Sequence, residues 1–419
     1  MRAFIAKSEI RGKVTAPSSK SYTIRGLMCA ALAAGESQII SPLSSDDTEA
    51  AMDVLNRVGV RIAPGKDVWR VTGGDFRAPD AALFCRESAT TLRFMTAISA
   101  LVPGQCRLTS APSLSIRPIE PLLQALRQLG VDCRYQQEGV VVQGGRLRGG
   151  VTELPGNISS QFVSALLFIA AFAEEGIKIR LTTPLESQPY VQMTLECLGL
   201  FGVKVHTSPE LREFETARQI YRPARYQVEG DWSSASYLLA MGALCGELEI
   251  ANLNPGSLQG DKVIGMLLRN MGASVITGKN AVTVKTSKLR AIEANLTDCI
   301  DLLPTVAVLA AAAEGVSEFT GIERARLKES NRVAAVREGL EKMGIRVAEE
   351  RNKLIITGST PKPAVIDSKG DHRIAMAFSL LGLLAGGTTI EGAECVAKTY
   401  PEFWETLQNM GGEVKLDGK

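Results

Sequence analysis

Apolar and polar residues along the chain follow a pattern that returns six times. Each copy has Leu, two variable residues, an apolar residue and Gly, followed by a segment of alternating apolar residues. Gly just beyond a helix C-cap adopts the left-handed conformation without a Cβ clash, so each copy predicts the end of a helix and the start of a strand. The copies lie about 70 residues apart and end at Gly59, Gly130, Gly202, Gly272, Gly344 and Gly411.

A second and more apolar helix precedes each of these signatures. Its residues are apolar nearly all round, which is typical of a helix buried between other elements. The six helices are predicted at 26–34, 94–101, 162–173, 235–245, 304–313 and 374–385. Their expected starting points lie near Lys20, Thr90, Gln161, Ser233, Asp301 and His372.

Two short strands follow each signature and form a predicted hairpin. The first strands are predicted at 60–62, 131–133, 203–205, around 275, at 345–347 and at 414. The second strands are predicted at 68–72, 140–143, 226–229, 282–285 and 354–357. The sixth copy has no room for its second strand before the sequence ends, and residues 4–6 are predicted to supply it.

The repeated element is a small α/β subdomain, because its period exceeds the ~20 to 50 residues of solenoid repeats. With roughly 100 to 200 residues expected per domain, 419 residues suit two lobes of three repeats each. One lobe is predicted to be discontinuous, with residues 1–15 and 230–419, and the other to span residues 16–229. A cleft between two lobes is the default place for a ligand, so we expect the active site there.

Composition narrows the possible functions. The formal net charge is +2 and no long charge run is present, so nucleic-acid binding by charge alone is not expected. No stretch has the ~18 uninterrupted apolar residues of a membrane helix, and the first residues lack the apolar region of a signal peptide. We expect a cytoplasmic monomer with no membrane or nucleic-acid partner.

Metal and thiol chemistry are not expected either. The eight cysteines lie far apart, without a close pair at zinc-ligand spacing, and indicate reduced thiols. His206 and His372 are the only histidines, and the sequence has no phosphate-binding loop, dinucleotide-binding, zinc-protease or nucleophile-elbow motif. The chemistry must therefore depend on Lys, Arg, Asp, Glu and Ser.

Charged and hydroxyl residues gather where the helices are predicted to begin. Ser and Asp there have an ordinary explanation as N-caps, which contribute ~0.5 to 2 kcal/mol. Cations are less expected, because the partial positive charge of a helix N-terminus makes each of them unfavourable by about a few tenths of a kcal/mol. These six cations are Lys20, Arg117, Lys328, Arg332, Arg373 and Lys398. Either they are solvated first-turn side chains, or they bind anions together with free N–H groups, which predicts negatively charged substrates and lobe closure.

Seven short segments contain most of these residues. They are 17–25 (PSSKSYTIR), 87–93 (ESATTLR), 117–118 (RP), 159–161 (SSQ), 328–332 (KESNR), 371–373 (DHR) and 397–401 (AKTYP). In order and spacing, over the whole chain, these segments resemble the 5-enolpyruvylshikimate-3-phosphate synthase family. The resemblance implies an α/β fold of two lobes, an inside-out α/β barrel with three βαβαββ repeats per lobe around buried parallel helices.

The resemblance also implies a reaction. The enolpyruvyl group of phosphoenolpyruvate is transferred to the 5-hydroxyl of shikimate 3-phosphate through a tetrahedral intermediate, and phosphate is released. This step belongs to the shikimate pathway, which leads to chorismate and the aromatic amino acids. No metal or organic cofactor is implied.

Individual residues receive roles from the same resemblance. Residues implied to bind shikimate 3-phosphate are Lys20, Ser21, Arg25, Ser159, Ser160, Gln161, Ser187, Asp301 and Lys328. Residues implied to bind phosphoenolpyruvate are Lys20, Ala89, Thr90, Arg117, Gln161, Arg332, Arg373 and Lys398. Asp301 and Glu329 are implied to transfer protons, with Lys20 as a further acid or base, and the role of each in each step stays open.

Three positions depart from the usual family pattern. Ala89 stands where Gly is usual, Glu87 where Asn is usual, and Asn331 where Asp is usual. An added methyl group beside the phosphoenolpyruvate site should obstruct the slightly longer inhibitor glyphosate more than the substrate. We therefore expect reduced glyphosate sensitivity, with some loss of phosphoenolpyruvate affinity.

Two other functions remain as alternatives. The related enzymes that transfer enolpyruvyl to UDP-N-acetylglucosamine share the fold, but they have a reactive Cys just ahead of the Arg-Pro pair, and residues 113–116 contain none. A non-catalytic anion-binding relative is the other alternative. The presence together of Lys20, Asp301, Glu329 and Lys398 argues against it.

Overall fold

The structure of the protein is a computed structural model, and it describes residues 1–137 and 139–418. The chain forms two compact domains. The discontinuous domain consists of Met1–Pro17 and Gly230–Lys419, and the continuous domain consists of Ser18–Glu229.

The strands within the described ranges are, in chain order, β1 (Arg2–Ile5), β2 (Ile10–Thr15), β3 (Gly35–Ile40), β4 (Arg61–Ala63), β5 (Val68–Gly73), β6 (Leu83–Phe84), β7 (Gly104–Thr109), β8 (Asp132–Gln136), β9 (Gly139–Gly144), β10 (Gly150–Leu154), β11 (Ile177–Leu181), β12 (His206–Thr207), β13 (Glu213–Thr216), β14 (Arg225–Gln227), β15 (Gly246–Ala251), β16 (Ser274–Thr277), β17 (Ala281–Lys285), β18 (Glu293–Asn295), β19 (Val316–Thr320), β20 (Arg346–Glu350), β21 (Lys353–Thr357), β22 (Val365–Asp367), β23 (Thr388–Glu391) and β24 (Val414–Asp417).

The α-helices in the same part of the chain are α1 (Lys20–Leu32), α2 (Asp46–Arg57), α3 (Ala89–Ile98), α4 (Pro112–Ser115), α5 (Glu120–Gln128), α6 (Ser160–Ala170), α7 (Gln188–Leu200), α8 (Trp232–Cys245), α9 (Ile264–Asn270), α10 (Leu303–Ala311), α11 (Arg332–Lys342), α12 (His372–Ala385) and α13 (Phe403–Asn409). Short 3₁₀ segments lie at Ser99–Leu101, Gly260–Val263, Ile300–Leu302, Glu323–Leu327 and Ala393–Lys398.

Each domain contains three four-stranded sheets among its described residues. The orders are β14-β3-β5-β4, β6-β7-β9-β8 and β10-β11-β13-β12 in the continuous domain, and β2-β15-β17-β16, β18-β19-β21-β20 and β22-β23-β1-β24 in the discontinuous domain. In every sheet the first two strands pair parallel and the remaining pairs are antiparallel. This is the predicted βαβαββ arrangement, repeated six times.

The N-terminal strand completes the sixth sheet, as predicted. β1 pairs antiparallel with both β23 and β24, so that Ala3 lies opposite Ile390 on one side and Leu416 on the other. The two ends of the chain therefore belong to one sheet.

The recurring Leu and Gly of the sequence signature form the same helix ending in all six copies. The six glycines have φ between 78° and 100°, which is the left-handed region. In each copy the residue after Gly donates its N–H to the carbonyl of the signature Leu, as Val60 does to Leu55 at 3.1 Å and Ile345 does to Leu340 at 3.0 Å. This is the Schellman hydrogen bond, which satisfies a helix carbonyl that would otherwise have no partner.

The helices that precede the signatures form the interior of each domain. All residues of α3 and α10 are buried, and the remaining four of this set, α1, α6, α8 and α12, are buried along most of their length. Burying a Leu, Val or Phe side chain contributes roughly 1.5 to 3 kcal/mol, so these helices dominate the packing energy. α11 crosses α12 at Gly339, where an added Cβ would lie 2.3 Å from Phe378 Cζ.

The third hairpin was predicted wrongly. Residues 203–205 are not in a strand, and the hairpin consists of β12 and β13, starting at His206. Of the predicted second strand at 226–229, only 226 and 227 are in a strand, and they belong to β14, which pairs parallel with β3 in the first sheet, Tyr226 opposite Ile39. β13 buries only Phe214 and Thr216, so its sequence has a weak apolar alternation.

All eight cysteines are free thiols. Over residues 1–137 and 139–418, the structure has no helix that combines the length and the apolar character needed to cross a membrane.

Candidate active site

Lys20 is the first residue of α1 and forms an ion pair within the continuous domain. Its Nζ donates to Asp47 Oδ2 at 3.0 Å, and Asp47 is almost completely buried in the first turn of α2. Ser19 caps the helix, because its hydroxyl oxygen accepts from the N–H of Tyr22. Cap and ion pair thus fix the helix start that the sequence predicted.

The N-termini of α3 and α6 meet through side chains. Gln161, in the first turn of α6, donates from Nε2 to Thr90 Oγ1 at 3.0 Å. Ala89 and Thr90 form the first turn of α3, which is capped by Ser88. The predicted phosphoenolpyruvate ligands Ala89, Thr90 and Gln161 therefore lie together, beside two sets of first-turn N–H groups.

Three of the four predicted serine ligands occupy N-terminal positions of α6 and α7. Ser159 is the N-cap of α6 and accepts from the N–H of Gln161 at 3.3 Å, and Ser160 is the first residue of that helix. Ser187 is the N-cap of α7 and has φ 56° and ψ 44°, a left-handed conformation that is unusual for Ser. Such a backbone conformation is unfavourable in itself and is often found at binding sites.

Arg25 extends inward from the second turn of α1 and is buried. Its guanidinium donates to Thr194 Oγ1 at 2.8 Å, to the carbonyl of Tyr190 at 2.9 Å and to the carbonyl of Ser21 at 3.0 Å. These bonds connect α1 with α7. A contact of Arg25 or Ser21 with shikimate 3-phosphate stays a prediction.

Three of the six cations do not lie at helix starts, contrary to the prediction. Arg117 lies between α4 and α5, Lys328 follows the 3₁₀ segment Glu323–Leu327, and Lys398 ends the 3₁₀ segment Ala393–Lys398. The Pro residues and short 3₁₀ turns of these segments delay the start of the next α-helix. Lys20, Arg332 and Arg373 lie in first turns, as expected.

Arg332 is the centre of the charged cluster in the discontinuous domain. It is 1 % exposed and contacts three carboxylates. Nε donates to Asp371 Oδ2 at 2.8 Å, Nη1 to Asp301 Oδ1 at 2.6 Å and Nη2 to Glu329 Oε2 at 2.6 Å. These carboxylates together raise the pKa of Arg332 against the opposing effect of its burial.

Asp301 also pairs with two further cations. Lys328 Nζ lies 3.1 Å from Oδ1, and Arg373 Nη2 lies 3.5 Å from Oδ2. Burial opposes ionisation of Asp301, but Lys328, Arg373 and Arg332 outweigh it and hold its pKa well below the ordinary value. Burial has the larger effect on Lys328 and lowers its pKa to about 8, although Asp301 opposes this.

Glu329 and Arg373 extend the cluster to the segments around them. Lys398 Nζ lies 3.7 Å from Glu329 Oε1. Arg373 Nη1 donates to Ser233 Oγ at 2.6 Å, which connects the first turns of α12 and α8. His372, the first residue of α12, is buried, and burial followed by the charge of Arg373 lowers its pKa well below the ordinary value, so this ring is neutral.

A further buried carboxyl, Asp261, lies near the same group. Burial raises its pKa to about 6, and the charge of Asp301 adds to this rise, whereas Arg373 and the Ser233 hydroxyl oppose it. Both oxygens of the carboxyl are buried. Asp261 was not predicted, and no motif in the sequence indicated it.

Each domain therefore contains one cluster of candidate site residues. The continuous-domain cluster contains Lys20, Asp47, Ala89, Thr90, Arg93, Ser159, Ser160 and Gln161. The discontinuous-domain cluster contains Ser233, Asp301, Lys328, Glu329, Arg332, Asp371, Arg373 and Lys398. In both clusters, cations contact carboxylates of the protein, a partnership that was not predicted.

Sequence reasoning missed several members of these clusters. Asp371 is the N-cap of α12 and accepts from the N–H of Arg373, which was expected, but its pairing with Arg332 was not. Arg93 was noted only as part of a motif. Asp47 follows Asp46 at the start of α2, and this acidic pair was the available signal.

Two of the unusual residues have a structural explanation. Asn331 caps α11, because its Oδ1 accepts from the N–H of Ala334 at 3.2 Å, as Asp would. Glu87 accepts from Ser113 Oγ at 2.6 Å and connects the segment before α3 to α4. Within the described part of the chain, no group of three or more His, Cys, Asp or Glu residues has an arrangement suited to a metal ion.

Comparisons with known proteins agree in one family. The family model described as EPSP synthase (3-phosphoshikimate 1-carboxyvinyltransferase) matches residues 5–407. A 3-phosphoshikimate 1-carboxyvinyltransferase of Dehalococcoides mccartyi is 50% identical over 419 residues, covering 100% of both chains. One of Halobacterium salinarum is 42% identical over 431 residues, covering 99% of this chain and 100% of the relative.

Solved structures give the same result. The EPSP synthase of Acinetobacter baumannii superposes with a TM-score of 0.84 at 27% identity, over 99% of this chain and 100% of that one. The enolpyruvyl transferase NikO of Streptomyces tendae, at 20% identity, shares the fold with a TM-score of 0.79, over 99% of this chain and 98% of that one.

The fold and its clusters define an α/β transferase of two three-repeat domains, in which buried cations and carboxylates lie side by side. The chain belongs to the EPSP synthase family, the 3-phosphoshikimate 1-carboxyvinyltransferases, and is a transferase of enolpyruvyl groups. The alternative acceptor UDP-N-acetylglucosamine is not favoured, because the relatives have the other activity and residues 113–116 lack Cys.

Proposed function

We propose that residues of both clusters catalyse enolpyruvyl transfer from phosphoenolpyruvate to the 5-hydroxyl of shikimate 3-phosphate, in the shikimate pathway to the aromatic amino acids. The observation that supports these residue roles best is the contact of Arg332 with both Asp301 and Glu329 at 2.6 Å. One cation thereby pairs with two carboxylates, with Lys328 and Lys398 beside them. Ionised carboxylates next to cations suit proton transfer on an anionic substrate.

The first step is addition. A carboxylate takes the proton of the 5-hydroxyl while the 5-oxygen forms a bond to C2 of phosphoenolpyruvate, and C3 takes up a proton and becomes a methyl group. The product of this step is a tetrahedral intermediate that still bears the phosphate. Asp301 is our choice for the residue that receives the hydroxyl proton, because three cations keep it ionised.

The second step is elimination. The methyl group returns a proton to the protein, the C2–C3 double bond forms again, and the bond from C2 to the phosphate oxygen breaks. Glu329, or Lys20 from the continuous-domain cluster, exchanges this proton with C3. Arg332, Arg373 and Lys398 stabilise the negative charge of the leaving phosphate and of the carboxylate.

Substrate binding should also make the carboxylates better bases. Asp301 in the free protein is stabilised as an anion by Lys328, Arg373 and Arg332, and is therefore a weak base. When an anionic substrate shares these cations, the carboxylate loses part of that stabilisation and its pKa rises towards neutrality. The site then becomes basic only when it is occupied.

The continuous domain provides donors for the phosphate groups. Ser159, Ser160 and Ser187 stand at helix N-termini, where hydroxyls and free N–H groups favour an anion, and we assign them to shikimate 3-phosphate. Thr90 and Gln161, with the backbone of Ala89, are assigned to phosphoenolpyruvate, together with Lys20 and Arg117. Action as a cytoplasmic monomer stays a prediction.

Phosphate release by the purified protein tests the proposal. The protein is incubated with phosphoenolpyruvate and either shikimate 3-phosphate or UDP-N-acetylglucosamine. Release only with shikimate 3-phosphate is expected. Release only with the nucleotide sugar would overturn the acceptor, and no release with either would favour a non-catalytic relative. Rapid quench of the turnover reaction in base should preserve the acid-labile tetrahedral intermediate for detection.

A further inference from the structure

Arg93 connects three separate segments of the continuous domain. Its Nη1 donates to Gln161 Oε1 at 2.7 Å and to Ser159 Oγ at 3.2 Å, and its Nη2 donates to the carbonyl of Pro118 at 3.1 Å. The residue is 5 % exposed, and its guanidinium lies 5.1 Å from the ring centroid of Phe162. Because the guanidinium is planar and buried against the Phe162 ring, its N–H donors are held in fixed directions.

We propose that Arg93 is a positioning residue that makes Gln161 and Ser159 hydrogen-bond donors towards the anionic substrates; this inference rests on the function proposed above. Arg93 itself touches no reacting atom. It acts through the orientation of its two neighbours.

The orientation of the Gln161 amide follows from the chemistry of arginine. A guanidinium has only donors, so the amide atom that faces Arg93 must be the oxygen. The amide nitrogen then points the other way and donates one hydrogen to Thr90 Oγ1 at 3.0 Å. The second hydrogen of the Gln161 amide nitrogen is available for a phosphate or carboxylate oxygen. Without Arg93, the amide could rotate and turn its oxygen towards the anion, and two negatively polarised oxygens repel each other.

Ser159 is constrained in the same way. Its oxygen accepts from Arg93 Nη1 at 3.2 Å and from the N–H of Gln161 at 3.3 Å. A hydroxyl has two lone pairs and one hydrogen, so these contacts occupy its acceptor capacity and leave it as a donor. Both side chains therefore offer hydrogens to a ligand, as an anion requires.

The third contact of Arg93 fixes the segment that carries Arg117. Pro118 has no N–H group and restricts the backbone of the residue before it. Its carbonyl accepts from Arg93 Nη2, so α3 holds the Arg-Pro pair from one side. Loss of Arg93 should therefore affect phosphoenolpyruvate binding through Gln161 and through the segment that carries Arg117.

A double-mutant cycle between Arg93 and Gln161 tests this inference. The full-length wild type, Arg93→Met, Gln161→Met and the double variant are compared by kcat and by KM for each substrate. Arg93→Met should raise KM for phosphoenolpyruvate about tenfold or more, the effect expected from losing a charge-assisted hydrogen bond. In the Gln161→Met background no amide remains to be oriented, so the same change should raise KM by only about twofold, a coupling typical of contacting residues.

Arg93→Lys serves as the conservative variant, in case Arg93→Met does not fold. A lysine ammonium can reach one acceptor but cannot hold the three acceptors of a planar guanidinium, so partial rescue of KM is expected, with a smaller coupling to Gln161 than in the Arg93→Met cycle. Thr96→Val is the matched control, because Thr96 is buried one turn further along α3 and bonds only the helix carbonyl of Leu92. It should lower the melting temperature without changing KM.

Equal factors in the two backgrounds would overturn the inference and leave Arg93 as a residue of the fold alone. A wild type that releases no phosphate from the two substrates would instead overturn the proposed function, and with it the role of Arg93. The wild-type assay therefore separates the two failures.

Discussion

The guanidinium of Arg332 donates to the carboxylate of Asp371 through Nε at 2.8 Å and Nη2 at 3.3 Å, and both side chains are buried. The two residues begin or cap neighbouring helices, α11 and α12. Asp371 thus holds Arg332 in place by accepting two of its hydrogen bonds, while Nη1 donates to Asp301 and Nη2 also donates to Glu329.

Replacing Arg332 should damage both folding and activity. Arg332→Met leaves three carboxylates without their shared cation, so the free energy of unfolding should fall by about 3 to 5 kcal/mol, the cost of breaking a buried ion pair. kcat should fall by at least about 100-fold, as when a donor to a developing charge is removed. Denaturant unfolding and steady-state phosphate release measure the two effects.

Arg337→Met is the matched control for this experiment. Arg337 lies on the same helix and pairs with Glu349 at 2.9 Å, but the pair is partly exposed. Its loss should change stability by under about 1 kcal/mol and leave kcat unaffected. Similar effects of the two variants on stability would contradict the central position given to Arg332.

Ala89→Gly should increase sensitivity to glyphosate. Ala89 is the first residue of α3 and is 7 % exposed, so its methyl group takes up space beside the first-turn N–H groups. Removing the methyl group should lower both the inhibition constant of glyphosate and the KM for phosphoenolpyruvate. The inhibition constant should fall by the larger factor. Ala97→Gly, further along the same helix, should cost roughly 1 kcal/mol of stability without changing inhibition. An unchanged inhibition constant in Ala89→Gly would exclude this explanation.

Ser187 should separate backbone strain from ligand binding. Its φ of 56° is accessible to Gly at little cost, whereas a residue with a Cβ is disfavoured there by roughly 1 to 2 kcal/mol. Ser187→Gly should therefore stabilise the protein, and Ser187→Ala should not. Both variants lack the hydroxyl and should raise KM for shikimate 3-phosphate equally. A higher KM only in the Gly variant would show that backbone rigidity matters, and not the hydroxyl.

Asp261 should make stability depend on pH. Burial raises its pKa from an ordinary value of 3.8 to about 6. At pH values between these two pKa values, the Asp261 carboxyl is protonated more often in the folded protein than in the unfolded chain. The free energy of unfolding therefore falls as pH rises through this window. Above pH 6 the buried carboxylate is ionised and the loss of stability is complete.

Asp261→Asn removes that titration. The variant should gain stability relative to wild type at pH 7.5, and less at pH 4.5, in urea unfolding at about these two values. Asp417→Asn changes an exposed carboxyl near the C-terminus and is the control. Its stability should differ from that of wild type by the same amount at both pH values. A difference for Asp261→Asn that does not change with pH would contradict the raised pKa.

Local signals in the sequence predicted much of the fold. The Leu and Gly of each signature lie within one helix ending, and the Schellman hydrogen bond between neighbouring residues explains why both are needed. Ser88, Ser159 and Asp371 cap helices by accepting from N–H groups two or three residues further on, as expected, whereas Asp301 lies inside the 3₁₀ segment Ile300–Leu302. The third hairpin was missed because β13 is short and has only two buried positions.

The candidate site was predicted as a set of residue types, mainly through resemblance to a family. The pairing of those residues was not. Lys20 and Asp47 are 27 positions apart, Arg332 and Asp371 are 39 apart, and Arg93 and Gln161 are 68 apart. No periodicity connects such pairs, so no pattern along the chain could indicate them.

The sequence by itself determined the six repeats, their helix endings and caps, and the strand that residues 4–6 help to form, because short-range backbone preferences and apolar periodicity are properties of neighbouring residues. Only the tertiary structure decided which carboxylate lies against which cation, and which way the Gln161 amide faces. Those contacts depend on distances between helices, and burial and neighbouring charges then shift the pKa values of Asp301, Lys328 and Arg332.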